Sequence, residues 1–309
     1  MTVLVHLIVT LGMLYVVPTG LRLIDPVGLR GTARIWPLLA APGALCLWLP
    51  RGTTATVLAA LYATATVALA ARAPARLLRI LRRTSSGRMP GRDRDCDRDP
   101  ERSHDRSHAP AEIAVLTALA SPSIAGAALV AERAGYPLFG FDLDVLTLTV
   151  PHFHFAGFTA ALVAGLVCRT ARTGPGATPA RWAAYSVPAG TLLVLLGYFV
   201  DDWAELVGAV VLAAGMWAVA LLTWREIRPG SRDRTTGALF ATSAAVLVAT
   251  MLLALWWALG EATGIVHPTV TWMAATHGLG NALGFALCSL LAWQRLAGDA
   301  TTRREQTTP

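Results

Sequence analysis

The sequence predicts an all-α membrane protein, a polytopic bundle of about nine transmembrane helices, and three observations lead to that prediction. Hydrophobic residues make up 54% of the 309-residue chain and charged residues only 15%, with a mean hydropathy of +0.52. A soluble domain has roughly one quarter charged residues. Apolar runs of the length that crosses a bilayer as a helix recur along the whole chain. The arginines alternate between the segments that connect these runs.

Nine apolar runs are candidates for membrane spans. We predict spans at 3–20, 35–50, 53–71, 111–131, 145–168, 182–200, 204–224, 236–259 and 270–293. The run at 35–50 has the weakest signal, because it is short and contains Pro37, Pro42 and Pro50.

The arginines predict the orientation of the bundle. All 26 basic residues are Arg, and 24 of them lie in one alternating set of connecting segments. The other set holds only Arg51 and Arg133. Positively charged loops stay in the cytoplasm, so we expect the N-terminus outside and the C-terminus inside a bacterial cytoplasmic membrane. Since the arginines follow the membrane topology, we expect the lipid bilayer to be the partner and not nucleic acid.

One long polar segment divides the chain. Residues 84–110 mix arginines with acidic residues and have no apolar face, so we predict a disordered cytoplasmic linker. The linker separates an N-terminal three-helix membrane unit, 1–83, from a six-helix unit, 111–295, that carries the polar residues. Residues 296–309 are predicted to be a disordered cytoplasmic tail.

Histidines inside the apolar runs are the first functional candidates, because ionisable groups within a bilayer are costly and tend to be functional. His152 and His154 in "VPHFHFAGF", and His277 in "THGLGNALGF", lie ~10–14 Å below the outer boundary at ~1.5 Å per residue. Asn281 follows His277 by four residues and should share its face. His152 and His154 are two residues apart, so on a regular helix they diverge unless Pro151 loosens it. We select all four as candidate catalytic residues.

Carboxylates at the outer helix ends are the second group of candidates. Asp201, Asp202 and Glu205 share one helical face by spacing. Adjacent carboxylates favour retention of one proton, which suits a general acid. The alternative is structural, because Asp202-x-x-Glu205 is also a capping-box pattern. We expect the remaining acids near these ends to be solvated: Glu132, Glu261, Asp142 and Asp144.

Two of these stretches resemble a known family. The segments "HFHFAGF" (His152–Phe158) and "HGLGNALGF" (His277–Phe285) are similar to motifs of the YndJ-like bacterial membrane proteins. The resemblance covers mainly residues 111–295. It implies a multi-pass topology, and the transporter labels attached to the family imply an activity only loosely.

Three functions remain open. The first is an intramembrane enzyme that performs acid–base chemistry, such as cyclisation or isomerisation, on a lipophilic and polyprenyl-like or epoxide-bearing molecule. Glu205 or Asp201 would supply the proton, His154 or His277 would accept one, and Asn281 would orient a histidine.

The second is a transporter for a small solute or protons, although polar residues such as Asn281, Thr191 and Ser243 are sparse in the inner halves of the spans. The third is a metal or haem protein with histidine ligands. No Cys or E-x-x-H pattern supports the third, so we expect no cofactor.

Overall fold

The computed structural model describes residues 2–78, 100–171, 174–231 and 233–307. Within these ranges the chain is helical and has no β-strand. The helices are α1 (Val3–Ile24), α2 (Arg30–Cys46), α3 (Thr53–Leu78), α4 (Pro100–Arg133), α5 (Leu143–Thr170), α6 (Ala177–Val200), α7 (Asp202–Gly230), α8 (Arg234–Thr263) and α9 (Val270–Asp299, continuing to Thr307).

Eight helices of the described chain are long and apolar enough to cross a membrane, so the predicted fold class is confirmed. The chain is a multi-pass membrane protein. The exception is α2, which corresponds to the weakest predicted span. It has 17 residues and contains Pro37 and Pro42.

Helix α4 carries a glutamate near one end that is buried between two arginines. The side chain of Glu132 is 2% exposed, and its Oε1 lies 2.9 Å from Arg51 Nε. The guanidinium of Arg133 donates to both carboxylate oxygens of Glu132. Arg133 also donates to the carbonyl oxygens of Cys46 and Leu49, at 3.4 and 3.2 Å, at the end of α2. The expectation that Glu132 is solvated is therefore wrong. Its carboxylate is buried and forms ion pairs with Arg51 and Arg133, the two arginines of the predicted outer side.

A second glutamate repeats this arrangement near the other end of α4. Arg76 Nε donates to Glu112 Oε2 at 2.7 Å, and Arg169 Nη2 donates to Glu112 Oε1 at 3.0 Å. Arg169 also donates to the carbonyl of Ile24 at 3.3 Å, and Arg76 lies 3.9 Å from Asp25. This cluster joins the ends of α1, α3 and α5 to α4.

The spacing of the two glutamates matches a bilayer. Glu112 and Glu132 are twenty residues apart, which corresponds to ~30 Å of helix and to the hydrophobic thickness of a membrane. We refer to the two boundaries as the Glu112 end and the Glu132 end. Helix α2 runs from one to the other, since Asp25 precedes it at the Glu112 end and Arg133 binds its last carbonyls at the Glu132 end. The orientation of these ends relative to the cytoplasm stays a prediction.

The two segments that the sequence predicts to be disordered are partly helical. Helix α4 begins at Pro100, inside the predicted linker 84–110, and α9 continues to Thr307 through most of the predicted tail. Once a helix has formed, each further residue loses conformational entropy but gains a backbone hydrogen bond. Both membrane helices can therefore extend beyond their apolar stretches. Proline is also well suited to a first helical position. The rest of the predicted linker before residue 100 lies outside the described residues.

At the Glu112 end, Asp233 holds the start of α8 against α9. Its carboxylate caps α8 by accepting from the backbone N–H groups of Thr235 and Thr236 at 3.3 and 3.0 Å. Arg295 Nη2 donates to the same carboxylate at 2.8 Å. Arg295 first, and then Thr236, lower the pKa of Asp233 from its usual 3.8 to about 2.

We expect Glu132→Ala to destabilise the fold by about 3–5 kcal/mol, because it leaves the buried guanidinium of Arg133 unpaired. The free energy of unfolding of the purified protein, measured by denaturant titration in detergent, tests this. Arg51→Ala is the matched control: the Arg51 side chain is 47% exposed, and an exposed ion pair contributes no more than about 1 kcal/mol. Equal losses for the two variants would contradict the assignment of Glu132 as a buried clamp.

The lowered pKa of Asp233 predicts a specific pH dependence. A depressed carboxylate pKa contributes stability above the unfolded value, and that contribution is lost as the pH falls toward the folded value. The window is therefore from about pH 4 down to about pH 2. Asp233→Asn keeps a good capping residue and removes the charge. Thermal midpoints of the wild type and the variant should differ above this window and converge below it, and a constant difference would contradict the prediction.

Candidate functional site: the intramembrane histidines

Three π-helical segments meet in the interior of the bundle. They are Gly12–Val16 in α1, Phe153–Thr159 in α5 and Gly280–Leu287 in α9, and each contacts the other two. The segment in α5 begins two residues after Pro151, where the sequence predicts a loosened helix. π-helical turns occur frequently at functional sites, so this meeting point is where we examine the histidines.

His154 is fully buried and has a partner on each ring nitrogen. Its Nδ1 lies 2.7 Å from the carbonyl oxygen of Val150, and its Nε2 lies 2.5 Å from the hydroxyl of Tyr62. A carbonyl oxygen only accepts, so Nδ1 carries the proton, and the Tyr62 hydroxyl must donate to Nε2. His154 is thereby fixed in one neutral tautomer.

The packing around His154 joins the N-terminal helices to α5. A Cβ added to Gly12 would lie 3.0 Å from the His154 Cβ, so α1 approaches this histidine as closely as glycine allows. Tyr62 in turn contacts Gly43 and the ring of Trp36 on α2. The described structure gives His154 no hydrogen bond to His277. His154, predicted as a site residue, therefore lies in a packed joint between helices.

His277 lies in a second polar group, between α8 and α9. Its Nδ1 lies 2.8 Å from the carbonyl oxygen of Thr250, so this nitrogen carries the proton. Asn281 Nδ2 donates to His277 Nε2 at 3.0 Å, as the i, i+4 spacing predicts. The hydroxyl of Thr250 donates to Asn281 Oδ1 at 2.8 Å, which closes the group.

Thr250 belongs to this polar group, and the sequence analysis did not select it as a candidate. Gly280 and Gly284 allow the close contact: a Cβ on Gly280 would lie 2.9 Å from Thr250 Cγ2, and one on Gly284 would lie 2.7 Å from Val246 Cγ1. A signal was available in the sequence, because polar residues follow one face of α8 at intervals of seven. They are Thr236, Ser243 and Thr250.

His152 lies near the second group. It is half-buried and lies within electrostatic range of His277. His154, two residues along, turns toward Tyr62, so the two histidines diverge as helix geometry predicts. We call the set of His152, His277 and Asn281, which are half-buried, and Thr250, which is buried, the His277 centre.

The predicted carboxylates form a separate cluster at the Glu132 end. Asp201 is the N-cap of α7, and its Oδ1 accepts from the Ala204 N–H at 2.7 Å, so the cap lies one residue before the predicted Asp202. Glu205 lies within electrostatic range of Asp202 and Glu261. Its backbone lies against Gly197, where an added Cβ would be 2.4 Å from the Glu205 Cα.

The carboxylates and the histidines do not form one site. Along α8, eleven residues separate Thr250 from Glu261, which corresponds to ~16 Å. Glu261 pairs with His267 at 3.1 Å and is not simply solvated, since Oε1 contacts the imidazole Nε2. Glu205, Asp201 and Asp202 are therefore placed nearer the Glu132 end than the His277 centre.

The donor geometry bears on the alternative of a metal or haem site. In the part of the chain that the structure describes, no three His, Cys, Asp or Glu side chains are grouped to hold an ion. Both ring nitrogens of His154 and of His277 already have hydrogen-bond partners.

Comparison with known proteins places the chain in a family. The model of the YndJ-like protein family matches residues 7–88 and 100–285. The chain belongs to the YndJ-like family. The match includes the first three helices, beyond the residues 111–295 to which the sequence motifs confine the resemblance. No solved structure matches the chain.

One curated relative shows the same affiliation. The chain is 26% identical over 164 residues to a protein of Bacillus subtilis (strain 168) named "Uncharacterized membrane protein YndJ". The match spans 53% of this chain and 29% of the relative, so the chain covers less than a third of that protein's length. The relative supports a membrane location for the family.

The packed joint at His154 makes a testable prediction. Tyr62→Phe leaves His154 Nε2 buried without a donor, which should reduce the free energy of unfolding by about 1–3 kcal/mol. Tyr15→Phe is the matched control, because the Tyr15 hydroxyl makes a single long contact of 3.5 Å with Gln294 in a partly buried position. Denaturant titration of both variants in detergent measures the difference. A Tyr62→Phe protein as stable as the control would show that the Tyr62–His154 bond does not hold the joint.

Proposed function

We propose that this protein performs acid–base chemistry on a lipophilic molecule at the His277 centre, as an intramembrane isomerase or cyclase. The observation that carries the proposal is the state of His277. Its proton is fixed on Nδ1 by the Thr250 carbonyl, and its Nε2 faces only the side-chain amide of Asn281. A neutral imidazole with an oriented Nε2 lone pair is the form that accepts a proton.

Access from the bilayer supports a lipophilic substrate. Helix α9 lies at the periphery of the bundle. In its most apolar stretch 28% is buried, whereas 83% is buried in the corresponding stretch of α5. Near the start of α9, Thr271, Trp272 and Ala275 are exposed, and His277 and Asn281 are half-buried. A molecule dissolved in the membrane can approach this face without crossing water.

The chemistry assigned to the centre is a balanced proton shift. His277 Nε2 takes a proton from a carbon of the substrate and returns it to another carbon, so that an isomerisation needs no oxidant or further reactant. His152 is the second imidazole near the reacting region. The carboxylate cluster of Asp202, Glu205 and Glu261 lies on the side of the Glu132 end, where protons exchange with water. Asp201 serves as a helix cap.

A proton-coupled transporter is the second candidate, and one observation favours it. Polar contacts occur at four levels along α8, from the Glu132 end to the Glu112 end. They are Glu261 with His267, Thr250 with His277 and Asn281, Ser243 with Ser289, and Asp233 and Thr236 with Arg295. In the half of the bundle predicted to face the cytoplasm, where polar residues are sparse, the hydroxyls of Ser243 and Ser289 lie 2.5 Å apart and form one of these levels.

We expect deletion of the gene to cause a lipophilic precursor to accumulate, which metabolite profiling of membrane extracts would detect. Complementation with His277→Ala should leave the precursor in place, because the proton acceptor is missing. His267→Ala is the control, since it removes an imidazole outside the centre, and it should restore the wild-type profile.

Two outcomes would decide against the enzyme. An unchanged profile in the deletion strain would contradict it directly. Proton uptake into proteoliposomes that is present in the wild type and lost in His277→Ala would favour the transporter.

A further inference from the structure

We propose that Asn281 and Thr250 are positioning residues that form a reversible hydrogen-bond switch, through which His277 takes up and releases a proton while every polar atom of the group keeps a partner. The proposal rests on the proposed role of His277 in proton transfer. It concerns how a proton can be held inside the membrane, where an unpaired polar group costs several kcal/mol.

When His277 is neutral, the hydrogen bonds form a chain in which each group donates to the next. The Thr250 hydroxyl donates to Asn281 Oδ1, and Asn281 Nδ2 donates to His277 Nε2. His277 Nδ1–H donates to the Thr250 carbonyl. Each of these polar atoms has a complementary partner.

In the protonated state the same atoms can reverse. His277 then carries a second proton on Nε2, which needs an acceptor. Rotation of the Asn281 amide by about 180° presents Oδ1 to that proton and turns Nδ2 toward the Thr250 oxygen. The Thr250 hydroxyl must then donate elsewhere, and the carbonyl oxygen of Leu247 lies 3.2 Å from it. The bond from Nδ1–H to the Thr250 carbonyl is unchanged, so the imidazole stays in place.

His154 lacks this reversibility. Its Nε2 accepts from the Tyr62 hydroxyl, and the structure records no other partner for that hydroxyl. Protonation of His154 would leave the Tyr62 proton without an acceptor in a fully buried position. The two histidines share an Nδ1–H bond to a carbonyl and differ in the group that faces Nε2, which is an amide only at His277.

The groups that surround His277 in the described structure include no carboxylate that would stabilise its protonated form. From α5 the titratable group in electrostatic range is His152, which is of like sign when protonated. From α8 the facing group is the uncharged Thr250, and from α9 it is the uncharged Asn281. The Asn281 amide is therefore the group that can accept a hydrogen bond from a protonated His277.

The test is the titration of His277 followed by ¹⁵N NMR of histidine-labelled, full-length protein in nanodiscs, with the His277 signals identified by their loss in His277→Gln. Asn281→Leu preserves the approximate shape and removes the amide. If the amide rotates, the wild-type amide stabilises the protonated ring, so the variant should lower the midpoint by about one pH unit. If the amide is fixed, its NH₂ group opposes protonation, and the variant should raise the midpoint. The sign of the shift decides between the two.

Further variants exclude a general loss of structure. Asn281→Asp supplies an acceptor with a charge and should raise the midpoint by about 1–3 units. Thr250→Val removes the bond to Asn281 from both protonation states and the bond to the Leu247 carbonyl from the protonated one, so it should lower the midpoint by less than Asn281→Leu does. The His154 signals in the same spectra should be unchanged, which shows that each variant is folded. A rise with Asn281→Leu, or a wild-type His277 that stays neutral down to about pH 4, would overturn the switch.

The switch and the proposed function can fail separately. If His277→Ala leaves the metabolite profile and proton uptake intact while Asn281→Leu lowers the midpoint, the switch stands and the function is wrong. If Asn281→Leu raises the midpoint while His277→Ala abolishes activity, the function stands and the switch is wrong.

Discussion

The two glutamates of α4 set the frame on which the rest of this bundle depends. Glu132 and Glu112 lie ~30 Å apart on α4, and each carboxylate pairs with two arginines. One of these guanidiniums, that of Arg133, is buried, which is tolerated because a carboxylate neutralises it. Through Arg76, and through Arg51 in the connection that precedes it, they attach α3, and through Arg169 they attach α5. The N-terminal helices are thus bound to the C-terminal ones at both membrane boundaries, and the two groups share one core.

Within that frame, the group that faces Nε2 determines which hydrogen bonds each histidine can make. His154 and His277 have the same kind of anchor, an Nδ1–H bond to a backbone carbonyl, which lies on the same helix for His154 and on α8 for His277. The hydroxyl of Tyr62 makes the first a fixed joint. The amide of Asn281, which has a donor and an acceptor on one carbon, leaves the second able to gain a proton. Burial alone does not distinguish the histidine of the packed joint from the one to which we assign proton transfer.

The sequence was informative wherever the physics is local. Apolar length located the spans, the i, i+4 rule paired His277 with Asn281, and the i, i+2 rule separated His152 from His154. It did not reveal which of the two turns toward His277, because that depends on Tyr62, which is 92 residues away. The intervals of seven between Thr236, Ser243 and Thr250 indicate a polar face of α8, and the contact at Gly280 adds that α9 packs against Thr250.

The contact between α8 and α9 explains why structural bonds and the proposed chemistry overlap at the His277 centre. Lipid is as apolar as leucine, so no hydrophobic force draws two membrane helices together, and close glycine packing and hydrogen bonds must hold them. At Thr250 and Asn281, the bonds that hold α9 also orient His277. At Ser243 and Ser289, about two turns nearer the Glu112 end, the bond holds the same helices and touches no imidazole. The contact between the helices and the proposed proton chemistry therefore share atoms at one level of this interface and are separate at the next.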